Sequence, residues 1–262
     1  MFLKSLLLRA VSKYRRTVSN RFCRRLVAIK STTPFISFSF DDAPITAFSN
    51  GSDILKAHGA RATFFVSLGL LESESPSRTI AFQDDLRRAV EEGHELGCHT
   101  FDHKDPWKTT TEVFEQSVFK NRQALAGMLP ESAFTAFAYP LCGPRPTTKS
   151  RVGKLFNCCR GGGQTFNVGK TDMNLLKAYF LDVRIGDIID TVRRLIDRNS
   201  ECRGWLIFAT HDVTDNPSPY GCTKEFFEEV VAYSARSGAR LLPVGNACQE
   251  FQSSCSESPV SS

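Results

Sequence analysis

The 262-residue chain has no uninterrupted run of the about 18–20 apolar residues that a membrane-spanning helix requires. It has no Cys-x-x-Cys pair and no acidic residue in its first 30 positions. The first absence excludes a single apolar helix crossing a bilayer. The second goes with an odd total of nine cysteines and with adjacent Cys158 and Cys159. That pattern suits neither a disulfide framework nor a tetrahedral zinc site, and it reads as free thiols in a reducing compartment. Cys98 and Cys142 read as small packing residues. The third absence locates the charge. Residues 1–30 hold nine of the 33 Lys and Arg, so the rest of the chain has 24 basic residues against 28 acidic ones. The overall charge of +5 therefore belongs to an arm, and a basic body suited to nucleic acid is excluded. No repeat of 20–50 residues is visible either, beyond an alternation of strand-like and helix-like segments.

The arm itself, residues 1–30, places Leu3, Leu6, Leu7, Ala10 and Val11 at helical spacing, but Lys4, Arg9 and Lys13 interrupt any secretory apolar core. It admits two readings. One is a peripheral membrane-surface helix or an organelle transit peptide, and with the thiols this suggests a cytoplasmic, membrane-associated protein. The other is a basic helical extension packed on the domain or left partly disordered.

What is present begins with Phe35–Pro44, FISFSFDDAP. Alternating Phe and Ser give a strand pattern that stops at two adjacent carboxylates, Asp41 and Asp42. A buried strand ending in paired acids places them at the rim of a sheet or barrel, where α/β enzymes keep their chemistry. Neighbouring side chains at a strand end point in different directions, so one acid can bind a metal while the other faces the reacting atoms. The bland alternative is a strand end capped by a solvated Asp-Asp turn. Further strand-like runs are Ala62–Val66, His94–His99, Phe134–Pro140, Leu176–Val183, Trp205–Val213 and the segment at 239–244. Helical periodicity covers 49–58, 82–92, 112–128, 149–156, 185–198 and 226–237. This alternation predicts a parallel sheet or a (β/α) barrel. The expected division is a basic, partly amphipathic extension at 1–30, a catalytic domain at 31–247 and a loose Ser-rich tail at 248–262.

Reactive side chains gather at three strand ends. Asp41 and Asp42 follow the first, His99 and His103 the third, and His211 and Asp212 the run WLIFAT. His99 and His103, four apart on a helical turn, would share a face and grip one cation. Two His and one Asp are typical ligands of a catalytic zinc with a position left open for water. A non-haem iron site uses the same donors, but it would leave the second Asp and the late His without roles. His94 reads as structural, and Trp205, inside a buried run, as core. Trp107 and Tyr139 are candidates for stacking on sugar rings.

The segments FSFDDAP, HELGCHTFDH, FAYPLCG and WLIFATHDV, in that order over about residues 34–245, resemble the successive motifs of the polysaccharide deacetylases, carbohydrate esterase family four. That group includes chitooligosaccharide, chitin and peptidoglycan deacetylases. The resemblance implies an α/β fold, a distorted, incomplete (β/α) barrel with its metal site at the C-terminal ends of the strands. It implies Asp41 as general base, Asp42, His99 and His103 as ligands of a divalent cation, zinc by preference, and His211 as general acid. Tyr139 and Pro140 would serve the oxyanion and substrate, through a backbone N–H near Tyr139. The partner would be an N-acetylated glycan, losing acetate. Two departures stand out. The family's Arg before the aromatic-Pro pair is Ala138 here, with Arg145 and Arg160 as candidate substitutes. No Trp occurs around LDVRIGD, so Asp182, Asp187 and Asp212 are candidates for an orienting role around the acid. The competing readings are a glycan-binding protein with weak or lost turnover, and a metal hydrolase of another amide or ester.

Overall fold

In the computed structural model, which describes residues 2–141, 143–183 and 189–256, the strand ending at the paired acids is the centre of the sheet. The strands are β1 (Leu26–Ile29), β2 (Phe35–Asp41), β3 (Ala62–Val66), β4 (Glu74–Ser75), β5 (Arg78–Thr79), β6 (Glu95–Cys98), β7 (Ala136–Ala138), β8 (Cys158–Arg160), β9 (Gly169–Asp172), β10 (Tyr179–Phe180), β11 (Trp205–Thr210) and β12 (Arg240–Leu241). The helices are α1 (Phe2–Arg21), α2 (Ser52–Ala57), α3 (Gln83–Glu91), α4 (Thr111–Met128), α5 (Pro146–Val152), α6 (Ile189–Glu201), α7 (Lys224–Arg236) and α8 (Val244–Ser256).

Strands run β10-β11-β2-β3-β6-β7-β8 in one parallel sheet, with β12 added to the lower half of β2. The free edge of β8 curls round to the segment that feeds β10. Cys159 donates to Met173 O at 2.8 Å, Leu176 to Cys159 O at 2.7 Å and Gly161 to Leu176 O at 2.9 Å. The sheet therefore nearly closes, but through backbone that is not a regular strand. That makes it a distorted, incomplete (β/α) barrel, and it shortens the strand expected over 176–183 to Tyr179–Phe180.

Period-two alternation sorts each strand. Ile36, Phe38, Phe40, Phe64, Val66, Leu206 and Phe208 pack outward in the layer beneath the helices. Phe35, Phe65, Ala136, Ala138, Cys158, Trp205, Ile207 and Ala209 fill the interior. The interior is tight: a Cβ on Gly97 would lie 2.4 Å from the Phe65 ring, so only glycine fits there. The same alternation carried to the strand ends puts Asp41, His99, Arg160 and His211 on the inner face at one mouth.

The opposite end is plugged by α8. Its Val244, Ala247, Cys248 and Phe251 join the interior cluster, and Phe251 packs on Phe35 and Trp205 with ring centroids 4.6 and 5.3 Å away. The buried Glu95 carboxylate accepts from Thr63 Oγ1 and Thr135 Oγ1, both at 2.6 Å, and from the Gly245 N–H at 2.8 Å, fastening the first turn of the helix. From residue 248, where a loose tail was expected, the chain continues α8 through Ser256, with Cys248 and Phe251 in the interior cluster. Within the expected extension at 1–30, β1 pairs antiparallel with β9, from Leu26↔Asp172 to Ile29↔Gly169.

Candidate metal centre

The loops after β2 and β6, which carry the three candidate ligands, have backbone bent out of the ordinary. Asp42 (φ 60°) and Ala43 (φ 59°) follow β2, while Thr100 (φ 63°) and His103 (φ 49°) follow β6. Left-handed conformations at non-glycine residues cost energy and cluster at sites that need a particular side-chain direction. Here they turn Asp42 away from Asp41. They also hold His99 and His103 on a loop, not on the helical turn expected from their spacing, with ring centroids 5.0 Å apart.

Asp42, His99 and His103 each present one ligand atom within 4.8 Å of the others. Asp42 Oδ1 lies 3.4 Å from His103 Nε2 and 3.7 Å from His99 Nε2. It is buried and accepts no hydrogen bond, a costly state for a carboxylate oxygen unless a cation meets it. The other oxygen, Oδ2, accepts from Ser77 Oγ at 3.0 Å. His99 Nδ1–H donates to Ala138 O at 2.8 Å, which leaves Nε2 with its lone pair toward Asp42. Burial, with His103 and Arg160 adding to it against the pull of Asp41 and Asp42, pushes His99 down to about 4, so the ring is a neutral donor at physiological pH. One carboxylate and two imidazoles facing a common point suit a divalent metal ion.

Asp41 is buried beside this point and bonded through Oδ1 to Arg160. Burial alone would raise its carboxyl; Arg160, with His99 and His211, more than offsets this and holds it below the usual carboxylate range. The register pairs Ala138 with Arg160. The guanidinium missing at Ala138 is therefore supplied from the adjacent strand, in the same layer of the barrel. Arg145 does not reach Asp41: it bonds to Trp107 O and lies over the Trp107 ring at 5.9 Å.

His211 follows β11 on the far side of Asp42. Its Nδ1–H donates to Tyr220 O at 3.1 Å, and Nε2 stands 3.9 Å from Asp42 Oδ2. Asp212 turns away from it. The fully buried carboxylate accepts from Ser218 N at 2.7 Å and Ser218 Oγ at 2.5 Å, and so anchors the loop that carries Tyr220. Asp182 is buried next to the Leu181–Ala209 pairing, and Asp187 lies outside the described residues.

Tyr139 itself does not face the mouth. Its N–H donates to Arg160 O at 2.9 Å within the sheet, and its ring packs outward on Phe137 at 4.9 Å, so it offers the mouth neither an N–H nor a face. Pro140 has no N–H to offer. The first N–H beyond them with no acceptor among the described residues is that of Leu141, an exposed residue at φ 58° whose carbonyl accepts from the Gly143 N–H at 3.0 Å. Sequence reasoning also missed Ser77 and the Tyr220 carbonyl. Both sit in connecting loops, and no pattern in a single sequence marks a contact of that kind.

A cavity of about 570 Å³ adjoins the mouth, on the loops that leave β6, β7 and β8. Trp107, four residues beyond His103, lines it, and α1 forms its outer wall.

The chain is similar in sequence and fold to known proteins. Residues 28–155 match the family described as polysaccharide deacetylase. The peptidoglycan-N-acetylglucosamine deacetylase of Listeria monocytogenes is 34% identical over 95 residues, 36% of this chain and 19% of that protein. The chitooligosaccharide deacetylase of Sinorhizobium fredii is 31% identical over 101 residues, 38% of this chain and 43% of that protein. The matched segment thus spans less than half the length of either relative. The chitin deacetylase structure from Colletotrichum lindemuthianum superposes with a TM-score of 0.58 at 18% identity, covering 84% of this chain and 89% of that one. At that identity the likeness is one of fold.

Proposed function

We propose that this chain, a polysaccharide deacetylase family protein by its match over residues 28–155, is a metal-dependent hydrolase that removes N-acetyl groups from an N-acetylhexosamine-containing oligo- or polysaccharide and releases acetate. The observation that carries this reading is the unpartnered, buried Asp42 Oδ1 facing His99 and His103, with Asp41 and His211 on either side of it. Asp42, His99 and His103 would hold the ion, with zinc favoured by the donor set. When bound, the ion supplies Lewis-acid polarisation of the acetamide carbonyl and a more acidic water.

The chain's own groups supply the rest. Asp41 is ionised at neutral pH and fixed through Oδ1 by Arg160, so its Oδ2 is the atom that accepts the proton of the attacking water. The Leu141 N–H is a donor for the oxygen on which negative charge develops. His211, oriented by Tyr220 O, delivers a proton from Nε2 to the departing amine, which is a poor leaving group without it. The binding-only reading drew its support from Ala138, and the Arg160–Asp41 contact removes that support. Among the described residues, Cys23, Cys98, Cys158, Cys159, Cys202, Cys222 and Cys248 are in no disulfide, which supports a reducing, cytoplasmic setting.

Acetate release from chitotetraose tests the proposal. Chelation should abolish release and zinc restore it, and Asp41→Asn should lower kcat by at least about 10²-fold. Full activity in Asp41→Asn, or release that survives removal of all metal, would overturn the assignment.

A further inference from the structure

Residues 1–30 carry a density of positive charge that the proposed chemistry does not use. The last turn of α1 is nonetheless fixed to the domain. The buried Lys149 Nζ donates to Ser19 O at 2.7 Å and Phe22 O at 2.9 Å and pairs with Asp172, while Ser19 Oγ donates to Pro144 O at 2.6 Å. Further along, Arg15 lies over the Trp107 ring at 5.1 Å. The helix is therefore one wall of the cavity of about 570 Å³ on the loops that leave β6, β7 and β8, a size suited to a bound small molecule or a few sugar units.

The charge of that wall is specific. Arg15, Arg16 and Lys108 line the cavity, and Asp105 is the one acid among its described lining residues. Asp105 is already paired with Lys108 at 3.9 Å, and no described carboxylate pairs with Arg15 or Arg16. Arg15 and Arg16 belong to the basic arm, and the docking of α1 brings their two guanidinium groups onto a body that otherwise has more acidic than basic residues. Guanidinium groups are forks for carboxylate and phosphate oxygens, and a neutral N-acetylated sugar offers them no charge to pair with.

We propose that α1 makes this cavity a binding subsite for an anionic group on the glycan, so that the preferred substrate is an N-acetylated oligosaccharide bearing carboxylate or phosphate. The inference rests on the deacetylase reading for its chemistry, but the subsite can be read by binding alone.

The test compares three tetrasaccharides on the full chain by equilibrium titration and by acetate release. They are neutral chitotetraose, a hyaluronan tetrasaccharide alternating N-acetylglucosamine with a carboxylate sugar, and a chitotetraose phosphorylated on its hydroxymethyl groups. At low salt one or both anionic sugars should bind about tenfold more tightly than the neutral one, and which of them does so identifies the anion. The preference should shrink as salt rises. Arg16→Gln removes a side chain with no described partner and so tests charge without disturbing the fold. It should abolish the preference and Arg16→Lys should largely restore it, with chitotetraose as internal reference. Equal affinity for all three sugars overturns the proposal, as does a preference that survives Arg15→Gln combined with Arg16→Gln. Retention on phosphatidylserine vesicles that depends on Arg16, with no discrimination among the sugars, would also overturn it by making a membrane the occupant. Anion-selective binding without acetate release from any sugar would uphold the subsite while refuting the deacetylase chemistry.

Discussion

His94 shows how a buried histidine near a catalytic one can be purely structural. Its Nδ1 accepts the Ala62 N–H at 3.0 Å, so the ring is neutral and Nε2–H is turned to Ser52 Oγ at 2.8 Å. Burial, reinforced by Arg61 and Lys56, pushes it down to about 4. An unfolded histidine titrates near 6.5. Between those values the unfolded chain holds a proton that the folded chain refuses, so the contribution is complete above about pH 6.5 and is lost as pH falls toward 4. In the metal-free protein this should cost up to about 3 kcal/mol. His94→Gln can keep both hydrogen bonds without titrating, so urea unfolding at pH 7 and pH 4.5 should show a shallower loss in the variant; equal slopes would refute the assignment. The structural role of His94 was legible in the sequence from its place at the start of a strand. The partner of Asp41 was legible only as a choice between Arg145 and Arg160. What decides it is the lateral pairing of β7 with β8, and no local pattern encodes which strands become neighbours.

Among the elements, those with strong periodicity and clear stops were readable. The strand at Ala62–Val66 has the bounds expected, and α4 begins one residue before its expected start because Thr110 Oγ1 accepts the Val113 N–H at 3.3 Å. The docking of α1 was not readable, because it depends on Lys149, some 130 residues away in sequence. Lys149 is fully buried, and its ammonium satisfies two carbonyls at the end of the helix while its charge is matched by Asp172. Removing one partner of such a pair leaves the other charge buried and uncompensated. Lys149→Met should therefore lower stability by about 3 kcal/mol or more and free α1 from the body. Urea unfolding checks the first effect. Limited trypsin digestion checks the second, with cleavage at Arg15 and Arg16 expected to become fast in the variant at concentrations that spare the native chain. A variant as stable and as resistant as the native protein would show that α1 is held by something else.

At the scale of the whole molecule, the barrel is built in two halves with opposite chemistry. The half near Phe35, Trp205 and Phe251 is apolar and closed by α8; the other, with Asp41, Arg160, His99 and His211, is polar and open. Parallel strands bring all their C-terminal ends to one side, which is why reactive residues separated by 170 positions meet there and why their strand-end pattern was visible in the sequence. The closed end was invisible, because Ser and Gln between the apolar positions of α8 give the segment the composition of a tail. The two readings of residues 248–262 differ measurably. A loose tail can be removed without consequence. Deleting it from this barrel takes away Cys248 and Phe251 and leaves Trp205 and Phe35 facing a void that the rigid strands cannot collapse to fill. Phe251→Ala alone should cost about 3–5 kcal/mol. A chain ending at Ala247 should lose its cooperative transition in urea while keeping much of its far-ultraviolet circular dichroism, since strands and helices outlast the packing of an unplugged interior. A truncated chain that unfolds cooperatively at the native midpoint would return the segment to the status of a tail and leave the lower end of the barrel to be closed by β12 and the loops around it.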